Sequence, residues 1–202
     1  MYRPIILALL ILIPGCGVHR AIYVEHAALE NPSLYKNMNK ELQEKKAENG
    51  KTNFPVMGHR IVPGEGTVIA YRAWSPGSIF VIDDEHYEKV TIYMSGSLLG
   101  NAEINIEDNP NIIVLYVSGG SAWPKHGCYG TSTNGFLRYN PTLFGGMEAE
   151  ISFRANLTNA FSGDPCEQIM FHKKFKIEKK LLTDLSPWEG RPSSRIIQET
   201  YP

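Results

Sequence analysis

Along residues 147–155 apolar and polar side chains alternate: Met147, Ala149, Ile151, Phe153 and Ala155 share one phase, and Glu148, Glu150, Ser152 and Arg154 the other. Successive side chains of a strand point to opposite faces, so this pattern predicts a strand with one face on a core and the other in water. Ile169, Phe171, Phe175 and Ile177 repeat it, with His172, Lys174 and Lys176 opposite. Residues 112–118 begin with six apolar side chains in both phases and predict a central strand. Shorter β-rich runs predict strands at 56–62, 67–74, 78–82, 89–95, 102–106 and 136–139, beside the longer ones at 147–155 and 168–177. Turn residues punctuate them at Pro63-Gly64, Pro76-Gly77, Asp108-Asn109-Pro110, Gly119-Gly120, Gly145-Gly146 and Gly163-Asp164-Pro165.

A different period occupies residues 31–48. Leu34, Met38 and Leu42 recur every four residues, Asn31 can cap the N-terminus ahead of Pro32, and Asn49-Gly50 supplies a stop. One helix upstream of many short strands, with no helical crossovers between them, excludes a βαβ fold. The expectation is an all-β fold: an antiparallel β-sandwich or partly open barrel with one N-terminal helix.

The first twenty residues carry another kind of signal. Arg3 precedes nine apolar residues at 5–13, which end in Ile13-Pro14-Gly15-Cys16. Nine helical residues span only about 14 Å, at ~1.5 Å each, against about 30 Å of hydrocarbon. The run is the core of a signal peptide and not a membrane span. The Ile13-Pro14-Gly15-Cys16 ending resembles the lipobox of bacterial lipoproteins. That resemblance implies cleavage before Cys16, acylation of Cys16 and attachment through the lipid. Gly17, where an aspartate would mark retention at the inner membrane, implies export to the outer membrane, facing the periplasm. The expected organisation is a signal peptide at 1–15, lipid anchor, spacer and helix at 16–50, a β-domain at 51–185 and an extended tail at 186–202.

Charge and cysteine content narrow the partners. Removing residues 1–15 takes away only Arg3 and leaves 19 basic residues against 21 acidic ones. No basic excess argues for nucleic acid or for electrostatic attachment to anionic lipid. With Cys16 lipidated, Cys128 and Cys166 remain, and an even pair in an oxidising envelope reads as a disulfide. The competing reading is a nucleophilic or metal-bound thiol.

Catalytic motifs are weak. Gly119-Gly120-Ser121-Ala122-Trp123 lacks the second glycine of a nucleophile elbow, and Gly64 with Gly66 is too short for a nucleotide loop. Asp83-Asp84-Glu85-His86 is dense in possible ligands, but neighbours in an extended chain point apart. His59, His86, His126 and His172 form no His-x-x-x-His pair, and no cofactor is implied. A dispersed hydrolase site would have to be assembled from residues such as His126, His172 and Asp164.

Aromatic and positive residues crowd one region: Trp123, Lys125, His126, Tyr129, Phe136, Arg138 and Tyr139. Such a set is what a protein or glycan interface uses, and it is the candidate partner-binding set; the alternative is aromatics plugging one end of a sandwich. In size, anchor and β-rich body the chain resembles the small lipoproteins that act as immunity proteins against type VI secretion effectors. That implies a non-enzymatic binding protein that sequesters a secreted toxic effector. An envelope- or secretion-assembly accessory lipoprotein and a cell-envelope hydrolase are the other two readings.

Overall fold

The computed structural model describes residues 18–29, 61–75, 86–96, 102–107, 109–120, 127–142, 146–159 and 164–185. The signal peptide, Cys16, the helix expected at 31–48, the strand expected at 78–82 and the tail from 186 lie outside them.

Eight strands follow in chain order: β1 (Val18–Leu29), β2 (Ile61–Ser75), β3 (His86–Met94), β4 (Ala102–Asn105), β5 (Ile112–Gly120), β6 (Cys128–Pro141), β7 (Met147–Asn159) and β8 (Pro165–Lys179), then a 3-10 helix at Leu182–Leu185. Seven of them form a ring. β1, β2, β3, β5, β6, β7 and β8 pair in that order, every pairing antiparallel, and β8 returns to β1 as a parallel neighbour. β4 extends the line of β5 along one edge of β6: β5 pairs with Cys128 to Ser132, and β4 with Phe136 to Tyr139. The all-β expectation holds, and the pairing is that of a barrel. Its closure is narrow. β1 meets β8 only at Ile22 with Glu178 and Tyr23 with Lys179, next to a bond from the Lys180 N–H to the Tyr23 carbonyl at 2.9 Å.

The inward phase of each strand fills the ring. Tyr71, Tyr116, Phe153, Phe171 and Phe175 form its aromatic centre, with Phe153 stacked on Phe171 at 5.0 Å and Tyr71 on Phe175 at 4.9 Å. Tyr116 meets Phe153 and Phe171 edge-on, at 6.2 and 6.0 Å. Offset and edge-on pairs of this kind add roughly 0.5–1.5 kcal/mol each beyond the area they bury. Ile151 and Ala149 from β7 and Ile69 from β2 complete the packing. β1, β2 and β5 are apolar on their outer faces as well. There Ile22, Val24, Val68 and Ala70 pack with Leu182 of the 3-10 helix, and Leu29 with Ile113 and Leu115.

The disulfide joins Cys128, at the start of β6, to Cys166, near the start of β8, with Cα atoms 6.3 Å apart. Both strands pair with β7, so the bridge crosses the end of β7 and packs against the inner core. A bridge across 38 residues of sequence contributes about 4 kcal/mol on the chain-entropy account.

Three expectations are corrected. Val18–Leu29, within the segment assigned to anchor and spacer, is strand β1. Pro63-Gly64 is no turn between two strands but part of a bulge inside β2, where Ala27 faces both Pro63 and Gly66. A Cβ at Gly66 would lie 2.4 Å from the Met94 carbonyl oxygen, so β2 closes on β3 there because residue 66 has no side chain. Gly119-Gly120 ends β5 and is likewise no turn.

Candidate functional site

Three members of the candidate set, Trp123, Lys125 and His126, lie outside the described residues. The other four divide according to a bulge in β6. Between Ser132 and Asn134 the register with β7 shifts by one residue. The Ser132 hydroxyl donates to the Asn134 carbonyl at 2.7 Å, and Gly135 follows with a φ of 128°. An extra residue reverses which side chains point inward. Before the bulge Cys128 faces the core; after it Leu137 and Tyr139 do. Tyr139 is therefore buried at 4 % exposure and contributes no surface, which corrects its assignment to a partner-binding set. Tyr129 is corrected too: it is 1 % exposed, and its hydroxyl has no hydrogen-bond partner among the described residues. Burial pushes that phenol well above the ordinary tyrosine range.

Phe136 and Arg138 remain on the outward face, and there they meet β4, β7 and β8. The Arg138 guanidinium lies 4.5 Å from the Phe136 ring centre, and His172 of β8 approaches the same ring at 6.4 Å. Arg138 Nε donates to Glu103 Oε2 of β4 at 2.8 Å, while Glu150 of β7 lies 3.7 Å from the guanidinium and 3.6 Å from His172. The hydrogen bond and charge of Arg138 hold the Glu103 carboxyl below its usual range, and Glu103 raises Arg138 in turn. Lys174 and Glu148 extend the row, 3.0 Å apart. These pairs are exposed and contribute little to stability. What they do is orient a planar guanidinium over an aromatic ring, a ready-made contact for a partner. Glu103 and Glu150 were missed from sequence. The signal for Glu150 was the polar phase of β7 set against that of β6, which the bulge concealed; Glu103 comes from β4, whose pairing with β6 sets it opposite Arg138.

A second concave feature lies where β1 and β8 separate. A cleft of about 640 Å³ opens there, bordered by His19 and Arg20 on β1, Lys174 and Lys176 on β8, and Glu148 on β7.

Of the residues named for a dispersed hydrolase site, His126 lies outside the described residues. Asp164, just before β8, and His172 within it are eight positions apart, about 26 Å at ~3.3 Å per residue. Among the described residues no group of three or more His, Cys, Asp or Glu side chains is placed to hold a metal ion, and no helix is long and apolar enough to cross a membrane. Of the acidic run at 83–86, only His86 is described, exposed at the start of β3. No protein-family model, curated protein or solved structure matches the chain.

Proposed function

We propose that this chain is a binding protein of a bacterial envelope, anchored through lipid on Cys16 and facing the periplasm, whose partner is a secreted toxic effector that it sequesters. The disulfide carries the reading. A Cys128–Cys166 bridge belongs to an oxidising compartment, the one to which the Ile13-Pro14-Gly15-Cys16 motif points. Side chains fill the barrel interior, which moves recognition to the outside. On the outside, Phe136 under Arg138 is the best-organised contact.

Two measurements test it. Palmitate incorporation in a bacterial host is expected to disappear with Cys16→Ala; labelling that persists removes the anchor. Capture from detergent-solubilised envelopes is expected to yield one stoichiometric, toxic partner. Its affinity should fall by roughly 2 kcal/mol or more with Phe136→Ala combined with Arg138→Ala, or with Trp123→Ala, the loss expected on truncating an anchor contact. Growth protection by the chain on co-expression of that partner identifies sequestration. A non-toxic assembly component in its place points to an accessory role.

A further inference from the structure

β1 and β8 run parallel, touch at two residue pairs and then part toward the N-terminal end of β1. The 640 Å³ cleft occupies the space between them. Its two sides are strand edges, and among the described residues no strand pairs with either edge along the cleft. Lys173 marks the opening. It falls in the inward phase, between Phe171 and Phe175, yet it is exposed, as expected beside an edge without a neighbour.

The chemistry of the cleft alternates with the pleat. Ala21 and Phe175, both buried, point inward at its floor. Arg20, Lys174 and Lys176 belong to the outward phase at its rim. The cleft carries four cations, counting Lys180, against two carboxylates, Glu148 and Glu178. Each carboxylate is already held by a lysine, Glu148 by Lys174 at 3.0 Å and Glu178 by Lys180 at 3.3 Å. Arg20 and Lys176 are the surplus.

We propose that the cleft takes an extended peptide segment of alternating acidic and apolar residues, which adds as a strand between β1 and β8. Main-chain groups of the two open edges supply the hydrogen bonds, and the alternate side chains supply selectivity. The apolar residues of the peptide face Ala21 and Phe175, and its carboxylates face Arg20 and Lys176. The inference deepens the binding-protein reading by naming a partner chemistry, and rests on it for the premise that the outer surface recognises protein.

The test is fluorescence anisotropy of the purified full chain in detergent micelles, with a labelled hexapeptide of alternating glutamate and valine. Saturable binding is expected, weakened by added salt and reduced at least about tenfold by Arg20→Glu with Lys176→Glu. The two positions lie at the cleft rim, so the variant should keep the parent melting temperature. Replacing the valines with proline removes backbone N–H donors and should abolish binding, as should replacing the glutamates with lysine. No saturable binding, or binding unchanged by the charge reversals, overturns the proposal. Equal binding of the proline peptide overturns strand addition in favour of a simple anion site. Binding to phosphatidylglycerol vesicles without peptide binding overturns it in favour of a lipid surface. Capture of no partner by the unaltered chain, with peptide binding intact, sinks the effector reading alone.

Discussion

Ile22 on β1 faces Glu178 on β8 across the parallel seam of the barrel, and the seam extends one residue further, to Tyr23 and Lys179. On the opposite side of the ring β3 is paired with β2 and with β5 along nine residues each. Outside the seam, Lys179 pairs with Glu25 and lies 6.0 Å from the Tyr23 ring centre, which raises the Lys179 amine above its usual range. That contact is exposed to water. The ring is therefore strong on one side and thin on the other.

Local opening should start at this seam. Hydrogen exchange of the Lys180 amide, bonded to Tyr23, is expected to be faster than that of Val90 and Ile92 in β3, because openings that need few broken bonds cost least. Equal protection of the two regions would mean that the barrel opens only as a whole.

Gly135 should not tolerate a side chain. Its φ of 128° lies where L-residues are strained, and an added Cβ would lie 2.1 Å from the Ser152 carbonyl oxygen. Gly135→Ala is expected to cost about 2 kcal/mol or more in urea-unfolding stability, since a strained backbone of this kind costs roughly 1–3 kcal/mol before any clash. A neutral result would show that the β6 bulge relaxes into another register.

Two buried phenols should respond oppositely to loss of the hydroxyl. Tyr116 donates to Glu88 Oε1 at 3.0 Å, so Tyr116→Phe is expected to lose roughly 1.5 kcal/mol or more, as for hydrogen bonds to charged groups. The Tyr129 hydroxyl has no partner among the described residues, so Tyr129→Phe should be neutral or stabilising by up to about 1 kcal/mol. Denaturant midpoints of the two variants decide it.

Alkaline pH should unfold the protein. Burial raises Tyr71, Tyr87, Tyr116 and Tyr129; the charge of Glu88 adds to the effect at Tyr71 and Tyr116, while Arg72 opposes it at Tyr87. The folded state then keeps protons that the unfolded chain releases above about pH 10. Stability contributed by the neutral phenols is complete below that pH and is lost above it, mostly through Tyr116 and Tyr129, which are raised furthest. Phenolate absorbance recorded alongside circular dichroism should show these groups ionising together with unfolding. Ionisation at ordinary pH with the fold intact would contradict their burial.

Much of the architecture was legible in the residues. The alternation of Met147 to Ala155 places Ile151 and Phe153 inward and Glu148 and Glu150 outward, as predicted. The doubly apolar run at 112–118 lies in β5, buried on both faces. What escaped the pattern were places where one residue breaks the period. A bulge at Ser132 and Asn134 turns Tyr139 inward, and a second lets Pro63 and Gly64 sit inside a strand. β1 was missed because its apolar residues, Ala21 to Leu29, fall on both faces without alternation, directly after a motif that suggested a tether. The candidate site was legible in its aromatic and cationic members, Phe136 and Arg138. The carboxylates that orient Arg138 come from strands 35 residues before it in sequence, at Glu103, and 12 after it, at Glu150. Register, not local sequence, brings them together.

β1 begins at Val18, two residues beyond Cys16. Two extended residues reach about 7 Å. On the lipid-anchored reading there is no leash: the barrel rests on the bilayer surface, unable to sweep a volume in search of its partner. The end of the barrel that bears His19 and Arg20 then faces the headgroups, and Phe136 and Arg138 are presented at a height fixed by the fold. A partner is then met at the membrane surface rather than in the open periplasm.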